Sequence, residues 1–81
     1  MNLSGILVVS APGRFDECLA AVAALPAVEV FHRDPSAHRF IVVQEAASVD
    51  DEMDGLLRLK AVPGVALAEM VYHYFAEGEP Q

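Results

Sequence analysis

The chain has 81 residues, is 54% hydrophobic, and carries 12 acidic against 5 basic side chains, for a net charge of −7. A composition this apolar argues against disorder. The charge argues against nucleic acid and anionic membrane surfaces, whose binding relies on Lys and Arg, and no apolar run approaches the roughly 18 residues that cross a bilayer.

Leu3 to Ala11 reads as a first strand. Ser4, Ile6, Val8 and Ser10 share one face and Leu3, Leu7, Val9 and Ala11 the other; the two serines mark the even face as the outward one, which makes Val8 a surface position and Leu7 a core one. Pro12-Gly13 breaks the strand. A helix follows from Arg14 to Leu25, with Phe15, Cys18, Leu19, Val22 and Leu25 as its apolar stripe and Asp16 and Glu17 at the positive end of the macrodipole. The single cysteine, Cys18, allows no intrachain disulfide, and its place on that stripe makes it a packed thiol.

Pro26 ends the helix. A second strand spans Val28 to Arg33, Asp34 to His38 forms a hairpin loop, and a third strand runs from Arg39 to Glu45 with Phe40 and Val42 inward and Ile41, Val43 and Glu45 outward. Ser48 suits an N-cap, followed by Asp50, Asp51 and Glu52 in the first turn of a second helix. Met53, Leu56 and Leu59 form that helix's expected apolar stripe, with Val49 one turn earlier. A fourth strand spans Val65 to Phe75: Ala66, Ala68, Met70 and Tyr72 face the core, and Leu67, Glu69, Val71, His73 and Phe75 face solvent. The acidic tail, about 76–81, is expected to fray.

The helix exits Leu25-Pro26-Ala27-Val28 and Val62-Pro63-Gly64-Val65 repeat one phrase. Two strand–helix–strand units with right-handed crossovers give a single α+β domain over 1–81, a ferredoxin-like βαββαβ sandwich. Its antiparallel sheet has the order 4-1-3-2 and both helices on one face. The uncovered face is expected to carry Ile6, Val8, Ile41, Val43 and Val71 at its centre, with Glu29, Arg33, Glu45, Glu69 and His73 around them.

The sequence holds no Gly-rich phosphate loop, Cys-x-x-Cys or His-Glu-x-x-His pattern. His32 and His38 could approach across the hairpin, but two histidines make a weak metal site. Glu45 and Glu69 could be imagined as an acid–base pair, yet nothing in the sequence supplies the burial that would perturb either. The expectation is a non-enzyme with no cofactor and no metal. Met1-Asn2-Leu3-Ser4-Gly5 lacks the basic start of a secretory signal, so the expected location is cytoplasmic.

Leu7-Val8-Val9, Leu25-Pro26-Ala27-Val28-Glu29-Val30, Ile41-Val42-Val43-Gln44-Glu45-Ala46 and Pro63-Gly64-Val65 through Val71-Tyr72-His73 resemble the NapD family, in order and over nearly the whole chain. The resemblance implies a cytoplasmic chaperone that binds the twin-arginine signal peptide of the periplasmic nitrate reductase catalytic subunit. Binding there holds back export until the molybdenum cofactor is inserted, with the peptide lying as a helix against the sheet. Carried onto the matched strands, the expected peptide contacts are Ile6, Val8, Ser10, Ile41, Val43, Glu45, Glu69, Val71, Tyr72 and His73. Two other readings stand beside it: a homodimer with open faces stacked, and a small-molecule regulatory domain.

Overall fold

The computed structural model describes residues 2–75; the expected frayed tail at 76–81 lies outside them. The elements run β1 (Asn2–Ser10), α1 (Phe15–Ala23), β2 (Val28–Asp34), a short 3-10 turn (Pro35–Ala37), β3 (Arg39–Ala46), α2 (Val49–Lys60) and β4 (Val65–Phe75). The sheet order is β2-β3-β1-β4, and every neighbouring pair is antiparallel. This is the ferredoxin-like arrangement expected from the repeated helix exits.

The two exits are built alike. Ala27 and Gly64, each following the proline, both take a left-handed backbone, at φ 63° and 96°. Their carbonyls accept from the backbone N–H of Glu45 and Ala11, at 2.9 and 2.8 Å. Each exit is thereby pinned to the other unit, one to β3 and one just past the end of β1, which is how the two halves interlock.

The core lies between the helices and one face of the sheet. Ile6, Val8, Phe40, Val42 and Ala68 from the strands meet Cys18 and Val22 of α1 and Leu56 and Leu59 of α2. Phe15, Leu19 and Leu25 pack around this cluster, so the expected stripe of α1 is the one observed. The Phe15 ring meets Phe40 edge to face at 5.9 Å.

Helix α2 departs from expectation. Ser48 caps it as predicted, its hydroxyl accepting from the Asp51 N–H at 3.1 Å. The buried line, however, is Glu52, Gly55, Leu56 and Leu59, an i, i+3, i+4, i+7 set that includes a carboxylate and a glycine. Val49 and Met53 lie on the next line around the helix and are exposed.

Strand β1 is inverted relative to expectation. Ser4, Ile6, Val8 and Ser10 are buried, and Leu3, Leu7 and Val9 face outward, half-buried. Both serines are satisfied inside: Ser4 Oγ donates to Glu52 at 2.5 Å and Ser10 Oγ to the His38 carbonyl at 3.3 Å. A hydroxyl with a partner costs little to bury, so serine does not fix the facing of an otherwise apolar strand.

Candidate functional site

The face of the sheet away from the helices is uncovered, and register assigns its side chains in rows. Phe31, Ile41, Leu7 and Glu69 form one row across the four strands; Glu29, Val43, Gly5 and Tyr72 form the next. Glu45, Leu3 and Tyr74 flank one end, and Arg39, Val9 and Leu67 the other. The result is an apolar floor with carboxylates along both outer strands. Phe31, Leu67, Tyr72 and Tyr74 are large apolar side chains left exposed there, Tyr72 at 49%. Arg39 stands 3.6 Å from Asp34, so this cation already has a carboxylate beside it. Where β2 and β3 meet, Leu7, Ile41, His32, Arg33, Asp34 and Arg39 line a shallow hollow of about 500 Å³.

Strand β4 reaches this face through an irregularity. Ile6 pairs with Met70 and Gly5 with Tyr72, so Val71 is an extra residue between them. Because side chains alternate along a strand, one extra residue reverses everything beyond it. Met70 and Ala68 face the core as expected. Tyr72 is turned outward onto the open face, and His73 is turned inward toward the helices. A second irregularity between Val9 and Ser10 takes Ala66 out of register and leaves it exposed. In β2 the backbone of His32 is left-handed, at φ 52°, and a similar break takes Arg33 out of the alternation.

The predicted contact residues therefore divide. Ile41, Val43, Glu45 and Glu69 lie on the open face as expected. Tyr72 lies there too, although its phase placed it in the core, and Val71 is exposed at the bulge. Ile6 and Val8 have no exposed surface and Ser10 almost none, so these three lie beneath the sheet rather than on it. His73 belongs to the helix side, contrary to the expected wet face. Leu3, Leu7 and Val9 supply floor against expectation, and Phe31, Leu67 and Tyr74 add to it, Leu67 on the side of β4 expected to face solvent. The signal for the three β1 residues was present in the apolar odd positions of that strand, but the serines outweighed it.

Beneath the floor is a polar knot. Glu52 is only 2% exposed. Its Oε1 accepts from Asn2 Nδ2 at 3.4 Å, and its Oε2 accepts from Ser4 Oγ and lies 3.0 Å from His73 Nε2. Gln44 Nε2 donates to the Glu52 carbonyl at 3.2 Å. Gly55 makes this possible, since a Cβ there would collide with the Gln44 side-chain oxygen. No buried side-chain polar atom among the described residues lacks a partner, so the knot is fully satisfied.

Other chemistry is sparse. Among the described residues no group of three or more His, Cys, Asp or Glu is placed to hold a metal ion, and no helix is long and apolar enough to cross a membrane. The Cys18 thiol is buried, and burial pushes its pKa up, which keeps it protonated and unreactive. Arg14 holds the Glu17 carboxyl below its usual range through an exposed bidentate contact at the start of α1, away from the open face.

The family model described as NapD protein matches residues 1–77. The solution structure of the E. coli Tat proofreading chaperone protein NapD superposes with a TM-score of 0.81 at 25% identity, covering 98% of this chain and 84% of that one. The crystal structure of TTHA0845 from Thermus thermophilus covers 100% of both chains with a TM-score of 0.77 at 20% identity, a likeness of fold. No curated protein sequence matches the chain significantly.

Proposed function

The chain belongs to the NapD family, and from that premise we propose that it is a Tat proofreading chaperone whose open sheet face binds the twin-arginine signal peptide of an export precursor. The precursor is the catalytic subunit of periplasmic nitrate reductase, and binding on the cytoplasmic side withholds it from export until its cofactor is in place. The observation that carries the reading is the apolar floor with Glu29 and Glu69 on its outer strands and Glu45 at the end of β3.

A twin-arginine signal has a cationic start followed by a moderately apolar stretch. The floor suits the apolar stretch and the carboxylates suit the arginines. Four strands about 4.8 Å apart give a platform roughly 14 Å wide between outer strand axes, enough for one helix about 10 Å in diameter. Three apolar side chains buried on the floor contribute about 5–9 kcal/mol gross, and ordering the peptide costs about 2–5 kcal/mol. Charge pairs and hydrogen bonds must add to that margin for tight binding, and they also speed encounter and select cationic sequences. The same three carboxylates weigh against two copies stacked face to face, because the dimer would bring like charges together.

Calorimetric titration with the twin-arginine peptide tests the reading, with a peptide carrying Gln in place of both arginines as control. Saturable binding that weakens markedly for the control supports it. Absence of binding at high micromolar peptide contradicts it, and an obligate dimer that occludes the floor would favour the stacked alternative.

A further inference from the structure

We infer that His73, acting through Glu52, is a positioning residue that keeps the Tyr72 ring laid over Gly5 on the open face; the inference rests on the reading of that face as the peptide's seat. Adjacent residues of a strand point to opposite faces. Had β4 continued from Met70 without an extra residue, Tyr72 would have pointed into the core and His73 out to solvent. The bulge at Val71 reverses both. A bulge leaves a residue unpaired and disrupts the ladder locally, so the reversed register must be held by what it gains on each face.

It gains contacts on both faces. Below the sheet, His73 Nε2 reaches 3.0 Å from Glu52 Oε2, on a carboxylate 2% exposed that needs donors in a dry site. Above it, the Tyr72 ring comes to rest on Gly5. A Cβ on Gly5 would collide with the ring, so the ring occupies the space that a side chain would fill. Gly5 is the one position of β1 without a side chain, and its neighbour Ser4 is both the register partner of His73 and a donor to the same Glu52 oxygen. Two consecutive residues of β1 therefore receive two consecutive residues of β4, one on each face.

The consequence lies on the floor. The ring gives the centre of the sheet a flat aromatic surface in the row of Val43 and Glu29, and a guanidinium stacks favourably on such a surface. With the register released, Tyr72 leaves Gly5 and the floor loses that surface.

The test is an NMR and calorimetric comparison of His73→Leu, His73→Gln and Ser4→Ala. A ring lying on Gly5 displaces the Gly5 Hα resonances by its ring current, a signal independent of any peptide. His73→Leu is expected to return those resonances toward ordinary values and to weaken twin-arginine peptide binding about tenfold, or ~1.4 kcal/mol. His73→Gln, which still offers Glu52 a donor, is expected to restore both. Ser4→Ala removes another bond to the same oxygen from β1, and is expected to lower stability while leaving the Gly5 resonances and peptide affinity unchanged. Gly5 resonances unmoved in His73→Leu, or moved equally by Ser4→Ala, overturn the inference. If the wild-type protein binds no peptide, the functional reading fails, and the Gly5 resonances still decide whether His73 holds the ring.

Discussion

Replacing Leu7 and Val8 by aspartate, one at a time, separates the two faces of the sheet. Val8 has no exposed surface and sits in the cluster with Ile6, Phe40, Val42 and Ala68. Val8→Asp forfeits about 1.5–3 kcal/mol of apolar burial. It also places a carboxylate in a dry site with no donor, at several kcal/mol more. A chain of this length has a total stability of about 4–12 kcal/mol, so the variant is expected to be largely unfolded at neutral pH. Leu7 is half-buried on the open face, across from Ile41 and Glu69. There an aspartate stays hydrated, and the loss is about 1–2 kcal/mol from partial burial and strand preference. Urea melts followed by circular dichroism measure both. The expected result is a native Leu7→Asp with a lowered midpoint and an unchanged slope, and a Val8→Asp without a native baseline. The opposite result, a folded Val8→Asp and an unfolded Leu7→Asp, would refute the facing of β1 and with it the composition of the floor.

Two further predictions concern backbone and packing. Ala27→Gly relieves a left-handed alanine at φ 63°, worth about 1–2 kcal/mol before the entropy that glycine adds to the unfolded chain. Thermal melts should show a net gain of about 0.5–1 kcal/mol, whereas Gly64→Ala at φ 96° should lose about 1–2 kcal/mol; a loss in both would contradict the equivalence of the two helix exits. Gly55→Ala gains about 1 kcal/mol of helix preference but drives Gln44 from the Glu52 carbonyl, stranding a buried amide at about 1–3 kcal/mol. A net loss by urea denaturation is expected, and a net gain would show that Gln44 is not held as described.

How much of this was legible in the chain depends on the physics of each element. The helix exits at Pro26 and Pro63, the stripe of α1, the Ser48 cap and the strand order all follow from local chemistry and handedness, and all appear in the structure. The face of β1 was not legible, because both faces are apolar and the two serines find partners inside. The end of β4 was not legible either, since one extra residue at Val71 reverses Tyr72 and His73 without any mark on the alternating pattern. Glu52 looked like a carboxylate serving the helix dipole. Its partners Asn2 and Ser4 are about fifty residues away in sequence, and only the folded chain brings them together. Gly5 and Gly55 each accommodate a neighbouring side chain, the Tyr72 ring and the Gln44 amide, which only the folded chain shows.

On the proposed function, the open sheet face holds an export signal. The most direct measurement is the backbone amide and side-chain methyl footprint of a bound twin-arginine peptide by NMR. Shifts concentrated on Leu3, Leu7, Ile41, Val43, Leu67 and the Tyr72 amide, with those of α1 and α2 unmoved, are the predicted result. A saturable footprint on the helices, with the floor unperturbed, would contradict the account.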